Sequence, residues 1–202
     1  ELLEGRSLRQ HLERVGTLDQ ETTVLIACQV ADALESAHRH GVIHRDIKPG
    51  NLLLNSDEST LKIVDFGMAR LDEAPSLTVS GDVLGTPIYM SPEQASGAQK
   101  LDGRSDVYSL GCVLYEMLAG EPPFTGSNPR VLYARRLSER PASLTLLRDT
   151  VPDALDSVVR KCLAVSPADR FQTAGELQDA LSLQVLVAGP VPQKVEPEPA
   201  AV

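Results

Sequence analysis

The chain has 202 residues, 42% hydrophobic and 23% charged, the balance of a soluble globular domain large enough for its own core. Its 19 basic and 28 acidic residues give a formal net charge of -9, which argues against a nucleic-acid or anionic-membrane binder, since both need basic patches. Cys28, Cys112 and Cys162 are odd in number, far apart and set in helical patterns, so they read as buried free thiols of a reducing compartment rather than disulfides or zinc ligands.

The opening Glu1-Leu2-Leu3-Glu4-Gly5 reads as the middle of a domain, and a fragment is expected. Val24, Leu25, Cys28, Val30, Ala31, Leu34 and Ala37 recur at helical spacing and predict a long amphipathic helix over about residues 19–40. Asp19 would cap it and Gly41 would stop it. Residues 42–44, 52–54 and 61–64 read as very short strands, the last two joined by a polar turn over 55–60.

Residues 68–91 hold Pro75, Gly81, Gly85 and Pro87 among Ser and Thr, which predicts a long loop with chemistry at both ends. Val107, Leu110, Val113, Leu114, Met117 and Leu118 are flanked by further apolar residues, the mark of a buried helix. Helices are expected at about 129–138, 152–164 and 173–185. The apolar run at 185–188 is too short to cross a bilayer, and the chain reads as cytoplasmic. Pro190, Glu196, Pro197 and their neighbours predict a disordered tail over 187–202, after a domain spanning 1–186.

The chemistry is concentrated in His44-Arg45-Asp46-Ile47-Lys48-Pro49-Gly50-Asn51 and in Asp65-Phe66-Gly67, which follows a short hydrophobic stretch. Together they offer a proton acceptor, a cation and two metal-binding side chains. Phosphoryl transfer needs that set, because it depends on positioning and charge neutralisation around the moving group. With these motifs in this order, and with a late Arg170, the chain resembles the larger, helical lobe of serine/threonine protein kinases, from Glu1 to about Leu186. The tract Gly85-Thr86-Pro87-Ile88-Tyr89-Met90-Ser91-Pro92-Glu93-Gln94 is most similar to bacterial members.

The resemblance implies a mainly α, α+β lobe with short strand pairs, using ATP and Mg²⁺ and acting on protein substrates. It makes Asp46 the catalytic base, where the bland alternative is a turn cap. Lys48 would neutralise the γ-phosphate and favours Ser/Thr specificity. Asn51 and Asp65 offer hard oxygen ligands for Mg²⁺, against alternatives as a turn amide and a solvated strand-end charge. Phe66 would pack, and Gly67 would permit the turn. His38, His40 and His44 could suggest a metal cluster, but their spacing favours a structural His44.

The same resemblance makes Arg45 a cation for loop phosphate, with Thr78 and Ser80 as candidate phosphorylation sites. Thr86 would help hold the substrate, and could otherwise be a capping hydroxyl. Glu93 and Arg170 match a buried ion pair, and Asp106 would brace the catalytic loop. Backbone groups of Glu1 and Leu3 would bond adenine, Leu53 would pack beneath it, and Ser7 could reach the ribose.

No G-x-G-x-x-G occurs, and neither does the strand lysine that grips the α- and β-phosphates, nor its glutamate. One wall of an ATP cleft is therefore expected, with negligible activity alone and self-association through an exposed face around Leu3, Leu53 and Phe66. A degenerate lobe used as a protein-binding module is the alternative. A small-molecule phosphotransferase fits less well, because it has no need for a peptide-docking tract.

Overall fold

A computed structural model describes residues 5–55, 60–65, 87–126 and 128–188. At its centre lies α4, Arg104–Ala119, with every side chain from Ser105 to Leu118 buried. A helix apolar on most sides can be satisfied only by neighbours all round, and α4 packs on α2 (Gln20–Arg39), α7 (Asp153–Cys162) and α8 (Ala174–Ala188). From α2, Val24, Ala27, Val30, Ala31 and Leu34 point inward at helical spacing. Each fully buried Leu or Val of this kind contributes about 1.5–3 kcal/mol.

The ends of α2 follow the predicted chemistry. Asp19 accepts the Thr22 N–H at 2.8 Å, and Gly41 takes a left-handed φ of 74° just past the last turn. The remaining helices are α1 (Leu8–Val15), α3 (Pro92–Ala95), α5 (Pro129–Ser138) and α6 (Leu144–Leu147). The span of α5 is the expected one, while α8 runs three residues beyond the expected end at Val185.

Three short antiparallel strands lie in the order β1 (Gly5–Ser7), β2 (Leu52–Asn55) and β3 (Leu61–Ile63). A Cβ on Gly5 would fall 2.0 Å from Leu54 O, so only glycine allows β1 to approach β2. Strand β1 and helix α1 were not expected from hydrophobic pattern. Their signal was local: Ser7 and Gln10 form a reciprocal capping box that starts α1.

Residues 42–44 correct the sequence reading, since they form no strand. The Val42 N–H bonds back to Ala37 O, and the His44 N–H goes to the Asp106 carboxylate. Donors that a strand would offer to a neighbour are taken by a helix end and a side chain. All three cysteines are free thiols, with Cys112 and Cys162 buried and Cys28 half-buried.

Candidate active site

The loop between α2 and β2 carries the first motif, and Asp106 on α4 shapes it. Its two carboxylate oxygens accept the backbone N–H groups of His44 and Arg45, both at 2.8 Å, and Oδ2 also meets His38 Nε2 at 2.8 Å. From the other side, Gln94 Nε2 donates to Arg45 O at 2.8 Å. These bonds hold Arg45 at φ 68°, a left-handed conformation that a side-chain-bearing residue seldom adopts. Ile47, only 1% exposed, anchors the loop in the core.

Asp46 is the point of convergence. Its Oδ2 receives Lys48 Nζ at 2.7 Å and Asn51 Nδ2 at 3.1 Å, while Asn51 Nδ2 also donates to Asp46 O at 2.9 Å. With its amide nitrogen so engaged, Asn51 keeps Oδ1 as a spare acceptor. The Val64 N–H bonds Asn51 O at 3.0 Å, which brings the end of β3, and Asp65 after it, beside Asn51. Asp65 is exposed and sits at a left-handed φ of 55°.

His44 links the two motifs. It is fully buried, and its Nε2 lies 3.1 Å from Val64 O, a carbonyl that can only accept. The proton is therefore on Nε2, leaving Nδ1 to accept the Asp46 N–H at 3.2 Å. His40 faces elsewhere, bonded to Ser36 O, and among the described residues no cluster of three His, Cys, Asp or Glu has metal-holding geometry.

Leu53 lies on the half-buried face of β2, opposite the buried Leu52 and Leu54, and pairs with Ser7 on one side and Lys62 on the other. The Ser7 hydroxyl serves as the N-cap of α1. Glu1, Leu3, Phe66, Gly67, Thr78, Ser80 and Thr86 lie outside the described residues, as does the tail from 189.

Further out, Arg170 and Glu93 meet in a two-bond fork of 2.7 and 2.8 Å. The other three Arg170 donors reach Ala164 O, Arg104 O and Val165 O, so all five are used. Burial pushes the Glu93 carboxyl up, but the bonds and charge of Arg170 and the Ser105 hydroxyl outweigh it and hold the pKa below the ordinary value.

Sequence reasoning missed the residues that fix the turn Pro87–Tyr89. Tyr89 OH donates to Glu116 Oε2 at 2.6 Å, and Arg9 reaches Tyr89 OH at 2.5 Å and Glu116 Oε1 at 3.2 Å. Ser109 Oγ donates to Tyr89 O at 2.8 Å. Burial and the neighbouring Glu116 push the Tyr89 hydroxyl pKa far up, keeping it a donor. Arg9 and Tyr89 are 80 positions apart, and no local pattern pairs them.

The protein kinase domain family matches residues 1–182. The chain belongs to the protein kinase family. Among its relatives, the serine/threonine-protein kinase PknB of Mycolicibacterium smegmatis is 42% identical over 180 residues, covering 88% of this chain and 28% of that one. PknB of Mycobacterium tuberculosis is 41% identical over the same shares. The chain thus spans under a third of the length of these curated kinases. Of solved structures, the Mycobacterium tuberculosis PknI kinase domain superposes with a TM-score of 0.71 at 30% identity, covering 91% of this chain and 64% of that chain. Rad53 in complex with AMP-PNP gives 0.72 at 27% identity, over 89% and 44% of the two chains. This kinase chain is therefore of the bacterial serine/threonine type, with the helical lobe built round α4.

Proposed function

We propose that this lobe serves ATP- and Mg²⁺-dependent transfer of the γ-phosphate to Ser or Thr hydroxyls of protein substrates, in the cytoplasm. The observation that carries the reading is the convergence of Lys48 and Asn51 on Asp46 Oδ2. A carboxylate held by two donors keeps one oxygen, Oδ1, for the proton of an incoming hydroxyl, and its orientation is set before substrate arrives. The proton passes to Asp46 as the substrate oxygen bonds to phosphorus and the bond to ADP breaks. Lys48 stands close enough to offset charge on the transferred group.

The donor set fits Mg²⁺. The spare Asn51 Oδ1 and the exposed Asp65 carboxylate are hard oxygen donors of the kind Mg²⁺ takes, and the main-chain bond from Val64 N to Asn51 O, one residue before Asp65, supports their acting as a pair. When bound, the ion would neutralise charge on the phosphates. Leu53, half-buried on the face of β2 away from the core, would floor the adenine, with backbone of Glu1 and Leu3 at its edge and Ser7 near the ribose. Transfer is expected only where a Gly-rich loop and a phosphate-gripping lysine accompany these 202 residues.

The test uses the full-length protein. Asp46→Asn should lower turnover by about 10²-fold or more with ATP binding retained, whereas Asp65→Asn should weaken Mg²⁺-dependent nucleotide binding. Full activity in both variants would reject the mechanism.

A further inference from the structure

The buried face of α5 consists of Leu132 and, one turn on, Arg136. An arginine thus occupies a position whose neighbour on the same stripe is apolar, and it is only 1% exposed. Its guanidinium cannot lose its charge, so burial requires compensation. Among the described residues no carboxylate forms an ion pair with it. Its hydrogen bond runs from Nη2 to the backbone carbonyl of Pro87, and its Nε is without a partner, as is the nearby buried Tyr108 OH. Partial relief comes from its place in the last turn of α5, where the helix carbonyls favour a cation.

Leucine at this position would fill space at no electrostatic cost. Packing therefore does not account for Arg136, and what the charge uniquely adds is the bond to Pro87 O. That carbonyl begins the turn Pro87–Tyr89, whose other end is held by Ser109, Arg9 and Glu116. The segment continues into α3, where Gln94 bonds Arg45 O, next to Asp46. One side chain on α5 thus fixes the near end of a stretch that ends beside the proposed base.

We propose that Arg136 is a positioning residue for the protein substrate, holding the turn Pro87–Tyr89 in the register against which a peptide docks, with no part in ATP binding or in the chemical step. The proposal rests on the kinase reading for its substrate, but the clamp itself can be measured without catalysis.

In the full-length protein, Arg136→Met keeps an unbranched stem and removes donors and charge. Arg136→Lys restores the charge on a shorter reach and stands in if the Met variant does not fold. The peptide probe is the best sequence from a degenerate Ser/Thr peptide library. For Arg136→Met, amide exchange over residues 88–91 should accelerate and peptide KM should rise roughly tenfold, the loss expected for one charged hydrogen bond. KM for ATP and kcat at saturating peptide should stay within about twofold, and the thermal midpoint should change little, because removing a buried charge that has no ion-pair partner among the described residues offsets the loss of its hydrogen bond. Arg136→Lys should recover part of the peptide KM. Unchanged exchange over 88–91, or an unchanged peptide KM in an active enzyme, overturns the proposal. If the parent protein phosphorylates no peptide, the kinase reading fails separately, and the exchange measurement still decides the clamp.

Discussion

Asp106 Oδ1 accepts the backbone N–H of Arg45 at 2.8 Å, a bond between residues 61 positions apart that holds Arg45 in a left-handed conformation. The partner oxygen takes the N–H of His44, so one buried carboxylate satisfies two consecutive amides that face away from any strand. A conformation costing about 1–3 kcal/mol persists only where surrounding bonds over-determine it, and here they do so next to Asp46.

Asp106→Asn should be severely disruptive despite its similar shape. An amide has one oxygen, so its NH₂ would confront either the His44 or the Arg45 N–H inside the core. A loss of about 2–4 kcal/mol is expected in denaturant unfolding, with turnover falling more than ATP affinity.

The Glu93–Arg170 fork predicts a pH dependence of defined sign. Because Glu93 has a pKa below its ordinary value of 4.5, its ionised form stabilises the fold. That contribution is complete above the unfolded value and disappears as pH falls through the lower folded value. Glu93→Gln should therefore be clearly less stable than the parent at pH 7, and the gap should narrow progressively as pH falls below the ordinary value of 4.5. A gap constant from pH 7 to pH 3 in thermal unfolding would contradict the assignment.

Gly111 in the middle of α4 tests packing against helix propensity. Glycine to alanine inside a helix ordinarily gains about 0.5–1 kcal/mol. Here the new Cβ would lie 2.5 Å from Cys162 Cβ on α7, a contact that atoms do not make. Gly111→Ala should instead destabilise by about 1–3 kcal/mol through separation of α4 from α7, read as a lowered denaturation midpoint.

Arg45 has no ion-pair partner among the described residues, and its side chain is half-buried. A phosphate on Thr78 or Ser80 would supply about two negative charges and several acceptors to it. The active full-length protein should carry phosphate at one of these hydroxyls by mass spectrometry, and Thr78→Ala with Ser80→Ala should reduce activity severalfold or more. Unmodified hydroxyls in an active enzyme would reject this control.

Much of this lobe was legible in local pattern. The spacing of Val24, Ala27, Ala31 and Leu34, the Asp19 cap, and the all-round apolar character of α4 need only neighbours within a few turns, and periodicity records those directly. The motif residues Asp46, Lys48 and Asn51 are close in sequence, and the short loop that joins them brings them together. Residues 42–44 misled because their β-branched residues and short length resemble a strand, while the decisive partner, Asp106, is more than sixty positions away. Glu93 and Arg170 were paired in the sequence only through the family resemblance, and tertiary packing alone brings Arg9 and Glu116 to Tyr89 and Arg136 to Pro87. Each of these pairs joins segments whose order in space depends on how the helices share the core around α4, and a polar residue in a local pattern carries no mark of the distant partner that such packing will deliver to it.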